Sequence, residues 1–368
     1  MKKFRLVVKT RNKNYPIIIG ENILKKTGKI IKPILPNCRK VALIADANIP
    51  RKKLNKIKNS LKNYNCSIIR LNTSEKIKNL RTVNNLINIL LKKNFHRDDC
   101  LIAFGGGILG DIVSLTANLI KRGIKFVNIP STLLSQVDSS IGGKTGINSK
   151  YGKNMIGTFY QPELVISDID TLKSLPKREI VCGYAEILKH ALILDRKLFF
   201  WLQKNGKNIL NLKNKLLIQK AIYKSCKIKT KIIEKDEKEK NLRMILNFGH
   251  TFAHAFEATK NFSGKINHGE SVLLGMICAG EFALNKRILK KKEFTLIKKH
   301  YLLLGLPTKI GKYFKKKDIK NIIKFMKSDK KNSDLKIKLI LIKKIGKSLG
   351  SKSFDEFQIK KYLNSRLA

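Results

Sequence analysis

Apolar and polar residues follow two textures along the chain. Up to residue 178, short apolar runs bounded by glycine, proline or asparagine alternate with amphipathic stretches. FRLVVKT and YPIIIG predict an opening pair of strands, and KVALIADANI, CSIIRLN, CLIAFGGG, KFVNIP and LVISDI predict more. Residues 76–93 carry helical spacing between two of these runs. Strand, helix and strand in turn indicate an α/β domain on a largely parallel sheet. From residue 179 the period becomes that of helices, in YAEILKHALILD and over 215–235, 244–258, 270–286 and 293–304. Strand pattern returns only in KIKLILIKKIG. The expected organisation is an α/β domain over 1–178 and a mainly α-helical domain over 179–368, with Pro176 and the charged LPKREI segment at the boundary.

Composition changes this picture little. A hydrophobic fraction of 43% suits a globular protein in spite of a formal charge of +52. The lysines run from Lys2 to Lys361 on almost every segment, with no single basic face and few aromatics among them, so no specific nucleic-acid partner is expected. Lysine, asparagine and isoleucine are all abundant, as drift towards AT-rich codons across a solvated surface would produce. The six cysteines are scattered without a CxxC pair, which reads as reduced thiols in a cytoplasmic protein. MKKFRLVVKTRNK lacks a secretory core, and no apolar stretch reaches the roughly eighteen residues a membrane span needs.

Four segments carry candidate chemistry. FGGGILGD (104–111) runs from a strand into a helix, the setting of a phosphate cradle, and 105–110 fits G-x-G-x-x-G. It is not the first strand turn, however, and no acid ends the next strand, KFVNIP. Ribose hydroxyls would then have to be read by Asp46 or Glu75, and a ligand-free glycine turn is the alternative. In the polar stretch 130–157, Lys144 and Lys153 each follow a glycine, as anion recognition would favour. GYAEILKHALILD puts Glu186 on one helix face with Lys189 and His190; an acid among apolar residues needs a partner, and a divalent cation would serve. NLRMILNFGHTFAHAFE places Arg243, Asn247, His250 and His254 at steps that form one helical stripe, too polar for a core. With His268 of NHGESVLLG, Glu186 and His250 would give two imidazoles and a carboxylate, a common catalytic zinc set. On spacing alone His190 or His254 could substitute as ligands.

GGGxxGD, PxTLLxQVDSSxGGKT, GKNxIGxFxQP, AExxK, LNxGHTxxHAxE and HGE occur in this order, and together they resemble the 3-dehydroquinate synthase family from about Phe4 to near the C-terminus. The resemblance implies a homodimer with an NAD-binding α/β domain and a helical metal-binding domain. The implied reaction converts 3-deoxy-D-arabino-heptulosonate 7-phosphate to 3-dehydroquinate and phosphate in the shikimate pathway. Transient oxidation at C5 by NAD, phosphate elimination, re-reduction and an intramolecular aldol closure follow one another, with no net redox change.

Residue by residue, the resemblance implies Glu186, His250 and His268 as ligands of zinc, or of cobalt in its place. Lys144, Asn154, Lys189, Lys229, Arg243, Asn247, His254 and Lys330 or Lys331 would line the substrate, with Arg243 on its carboxylate and Lys153 with His254 at its phosphate end. Arg122 would reach the phosphate from the second subunit. NAD would be held by Asp46, Thr73, Glu75, Lys78, Gly107, Ile108, Leu109, Gly110, Asp111, Ser131, Thr132, Asp138, Lys144, Lys153 and the turn Thr171, Leu172, Lys173 and Ser174. Two departures stand out. Thr73 of T-S-E replaces an acid of the family's usual D-G-E, and Ser131 stands where threonine is usual. Related readings are a cyclase of a neutral sugar phosphate and an NAD- and metal-dependent polyol dehydrogenase, but Lys229, Arg243 and Asn247 favour a substrate bearing a carboxylate.

Overall fold

The computed structural model describes residues 3–11, 13–327 and 336–367. They fall into two compact units, Met1–Pro176 with Asn214–Lys238, and Lys177–Lys213 with Glu239–Ala368.

In the first unit β1 (Phe4–Lys9), β2 (Asn14–Gly20), β3 (Lys40–Asp46), β4 (Asn65–Leu71), β5 (Cys100–Gly105) and β6 (Lys125–Pro130) precede a small hairpin of β7 (Ile147–Ser149) and β8 (Gly152–Ile156), and β9 (Leu164–Asp168) follows. The main sheet has the order β1-β2-β9-β6-β5-β3-β4. Only β1 and β2 pair antiparallel, a tight hairpin onto an otherwise parallel sheet. β5 and β9 are buried along their whole length, which explains the apolar runs CLIAF and LVI. Successive residues of β3 serve opposite faces. Val41, Leu43 and Ala45 join the core under α1 (Thr27–Ile31) and α2 (Arg51–Ser60), with Ile31, Leu54 and Ile57. Ala42 and Ile44 join the core under α3 (Leu80–Lys92) and α4 (Gly107–Leu119), with Val83, Leu86, Ile112 and Val113.

The chain order of the strands reverses between β3 and β5: β4 lies beyond β3 on one side, and the later strands lie beyond β5 on the other. In such sheets ligands gather at the carboxyl ends of the strands flanking that switch point. Here those ends are Asp46 and the glycines from Gly105 onward.

After α5 (Lys177–Leu194) and α6 (Arg196–Leu210) of the second unit, the chain returns to the first for α7 (Lys215–Lys235). Helical spacing placed this stretch in the helical domain; its apolar face in fact meets the sheet domain. Tyr223 packs on Phe4 with ring centroids 5.0 Å apart, and Cys226 Sγ donates to the Gln136 carbonyl at 3.3 Å. Periodicity reveals an apolar face but not which core receives it.

The second unit continues with α8 (His250–Thr259), α9 (His268–Asn285), α10 (Lys291–Leu304) and α11 (Ile319–Lys327). The antiparallel pair β10 (Ile337–Lys344) and β11 (Lys347–Phe354) and then α12 (Glu356–Arg366) complete it. α9 is apolar almost all round and buried accordingly. No helix among the described residues is long and apolar enough to cross a membrane.

Candidate active site

In the first unit the sequence-marked residues collect at the carboxyl ends of the strands. Gly107, Ile108, Leu109 and Gly110 form the first turn of α4, directly after β5, and Gly106 provides no side-chain cap for its amides. Uncapped amides at a helix N-terminus suit a pyrophosphate. Asp111 follows one residue later and pairs with Lys78 at 2.6 Å. Burial raises its carboxyl pKa, and the Lys78 charge opposes the rise. Lys78 Nζ also donates to Asn154 Oδ1. Asp46 accepts from Thr73 Oγ1 and, at 2.9 Å, from the Asn48 amide. The T-S-E departure thus places a hydroxyl on the β3 carboxylate, where an acid would repel it.

Glu75 accepts from Asn148 Nδ2 at 2.7 Å and meets Lys153 Nζ at 3.4 Å. Ser131 is buried just beyond β6, and its amide bonds the Gly105 carbonyl at 2.8 Å; Thr132 exchanges hydrogen bonds with Ser135. Thr171 and Leu172 are buried in the turn after β9, whereas Lys173 and Ser174 are exposed. Gln136 Nε2 donates to the carbonyls of Pro130 and Asp168 and to Thr171 Oγ1, each at 3.1 Å, and so ties that turn to β6 and β9. Lys229 of α7 bonds both the side chain and the carbonyl of Asp138 at 2.6 Å. Lys144 is exposed. Arg122 lies apart, on an exposed turn where it and Lys121 hold left-handed backbone angles, φ 62° and 49°.

In the second unit, one donor atom from each of Glu186, His250 and His268 lies within 4.8 Å of the others. Glu186 sits on α5 and is 1% exposed. Its Oε2 pairs with Lys189 one turn on, and its Oε1 is buried without a hydrogen-bond partner. Towards that oxygen point His250 Nε2 at 3.7 Å and His268 Nε2 at 3.9 Å. Each ring is engaged at its other nitrogen: His250 Nδ1 lies 3.3 Å from the Phe248 carbonyl, and His268 Nδ1 lies 3.5 Å from Glu257 Oε2. Protons on both Nδ1 atoms leave both Nε2 lone pairs facing the carboxylate, the tautomers a cation requires. Burial, then the charge of Lys189 and the neighbouring imidazoles, holds the His250 pKa well below its ordinary range. For His268 burial works in the same direction, but the Glu257 hydrogen bond with the Glu257 and Glu186 charges outweighs it, and the pKa is raised. A buried carboxylate oxygen without a hydrogen-bond partner, between two imidazole nitrogens and beside a lysine, fits a divalent cation.

His254 is exposed, its ring 5.4 Å from that of His250 and outside the donor set. The single stripe expected for Arg243, Asn247, His250 and His254 is broken. Arg243 and Asn247 lie in a short 3-10 helix, Leu242–Asn247, and α8 begins only at His250. Gly249 between them takes φ +80°, and a Cβ there would stand 2.6 Å from the Met276 nitrogen of α9. A Cβ on Gly275 would stand 2.1 Å from the Gly249 carbonyl, so the two backbones touch. A spacing rule cannot detect this break, although a glycine before the first histidine hints at it. Asn247 Nδ2 donates to Glu239 Oε1 at 2.8 Å. Glu239 belongs to none of the sequence motifs, whereas Glu257 is the last residue of LNxGHTxxHAxE, seven residues after His250. Lys330 and Lys331 lie outside the described residues.

Residues 68–182 match the model of the 3-dehydroquinate synthase N-terminal domain, and residues 183–332 that of its C-terminal domain. A 3-dehydroquinate synthase of Pelagibacter ubique (strain HTCC1062) is 54% identical over 99% of this chain and 98% of its own. That of Prochlorococcus marinus (strain MIT 9515) is 39% identical over 99% and 100%. Among solved structures, 2-deoxy-scyllo-inosose synthase complexed with carbaglucose-6-phosphate, NAD+ and Co2+ matches with a TM-score of 0.88 at 23% identity, over 99% of this chain and 100% of that one. A 2-epi-5-epi-valiolone synthase from Streptomyces hygroscopicus subsp. jinggangensis 5008, with NAD+ and Zn2+ bound, matches with a TM-score of 0.84 at 23% identity over 98% of both. The chain belongs to the 3-dehydroquinate synthase family.

Proposed function

We propose that this chain converts 3-deoxy-D-arabino-heptulosonate 7-phosphate to 3-dehydroquinate and inorganic phosphate. The observation that carries the reading is the unpartnered Glu186 oxygen facing the Nε2 atoms of His250 and His268. A divalent cation would be held by Glu186, His250 and His268, and NAD by the α4 N-terminus with Asp46, Glu75 and the turn after β9. Together they would supply a Lewis acid for the substrate hydroxyls and a reversible hydride acceptor.

The chain's own side chains bind and orient. Arg243, 3% exposed on its 3-10 helix, offers a fork suited to the substrate carboxylate, and Lys229 and Asn247 add donors of the same polarity. His254, exposed one turn beyond His250, suits an anionic phosphate rather than the cation. Lys189 partly balances the buried Glu186, so the donor set stays charged without an uncompensated acid. The substrate's atoms divide between the two products with no water added, so the site needs no hydrolytic nucleophile. In a homodimer, which we also propose, Arg122 would serve the phosphate of the second copy's site; it is exposed on a left-handed turn.

The test is release of inorganic phosphate from the heptulosonate phosphate with NAD+ and Zn2+ or Co2+, with and without a chelator. Stoichiometric dehydroquinate without net NADH, abolished by the chelator, is the expected result. Net NADH accumulation would instead mark a polyol dehydrogenase.

A further inference from the structure

We propose that Glu257 is a positioning residue for the divalent cation: from α8 it fixes the ring of His268, a ligand carried by α9, so that Nε2 faces Glu186. This inference rests on the cation reading of the Glu186, His250 and His268 set.

An imidazole can offer a metal only the nitrogen that lacks a proton, and the hydrogen bond at the other nitrogen decides which one that is. His250 solves this with its own backbone, through the Phe248 carbonyl at 3.3 Å. At His268 the Nδ1 atom meets a side chain instead, the Glu257 carboxylate. His268 is the first residue of α9, and the capping box of Asn267 and Glu270 fixes its backbone there, Glu270 being held in turn by Arg178 Nε at 2.9 Å. That box sets the Cα but leaves the ring free to turn, and the side chain is 33% exposed. The side chain that meets Nδ1 is Glu257, whose carboxylate lies at 3.5 Å and is 14% exposed. Glu257 stands seven residues after His250, two turns along the same face of α8. One rigid helix therefore carries one ligand and sets the orientation of another, and the α8–α9 crossing at Gly249 and Gly275 keeps the two in register.

The experiment compares wild type, Glu257→Gln, Glu257→Ala and His250→Ala for Co2+ binding, read from the cobalt visible absorption band in competition with a chelator. Circular dichroism serves as the folding control. Glutamine keeps an oxygen that can accept from Nδ1, so E257Q should retain most of the affinity with a shifted band. E257A should lose about 10- to 100-fold in affinity. Wild-type affinity and an unshifted band in both variants would overturn the positioning role while leaving the cation site intact. A wild type that fails to take up Co2+, or a His250→Ala protein that binds it as tightly, would overturn the cation reading and this inference with it. If E257A does not fold, E257Q decides: a band identical to wild type counts against the role.

Discussion

His250 and His254 lie one turn apart on the same helix, yet the fold gives them different surroundings. His250 is held at Nδ1 by the Phe248 carbonyl and faces Glu186 with Nε2, whereas His254 is exposed. His250→Ala should abolish stoichiometric cation content, and His254→Ala should keep it while weakening substrate binding; metal analysis beside steady-state kinetics separates the two. A buried histidine elsewhere gives a different signal. His300 is fully buried, hydrogen-bonded through Nε2 to Tyr184 at 3.0 Å, and burial brings its pKa down to about 4. The folded state prefers the neutral ring, so this stabilisation is complete above the unfolded value near 6.5 and drains away as pH falls towards 4. Over that window the wild type should lose roughly 3 kcal/mol more unfolding free energy than His300→Gln, measured by urea titration at each pH. His250 and His268 stand out in the sequence because their motifs are long and chemically odd. Spacing alone does not tell a proposed ligand from its neighbour, since ring orientation depends on groups such as the Phe248 carbonyl that no side-chain pattern reveals.

Element by element, the strands were the most readable part of the chain. VALIA, CLIAF and LVI are continuous apolar runs because β3, β5 and β9 are covered on both faces. The glycine loop looked misplaced for a dinucleotide fold because it follows a late strand, with no acid on the next. The sheet order resolves this, since it sets β5 beside β3 and so brings the acid at the end of β3 to the switch point. Adjacency across a sheet is a property of topology and is invisible in linear order. The interruption before α8 shows in the sequence only as the glycine ahead of His250, where the backbone of α9 packs close. Gly249→Ala would force a Cβ into the Met276 backbone and a side chain into the left-handed region. A loss above about 2 kcal/mol in denaturant midpoint analysis is expected, with weaker cation binding in whatever remains folded.

For the molecule as a whole, the formal charge of +52 is set by 78 basic against 26 acidic side chains. Self-repulsion should make stability depend on ionic strength. Raising salt from about 10 mM to 150 mM shortens the screening length from roughly 30 to 8 Å, and Tm should rise by several degrees in scanning calorimetry. A Tm that stays flat or falls would mean that the lysines are already offset by local pairing. The change in texture near residue 178 predicts two domains, and the structure has two compact units, the first of which also takes in Asn214–Lys238. A ribosome meets the return of that stretch to the first unit as a matter of timing. The sheet domain lacks α7 until residue 238 has emerged, and by then α5 is already out with Glu186 and Lys189 on it. At roughly 5–20 residues per second, the carboxylate waits several seconds for both of its imidazoles to be synthesised. The nascent chain therefore holds two half-built domains at once, and a pause between codons 214 and 268 would prolong the interval in which it most needs a chaperone.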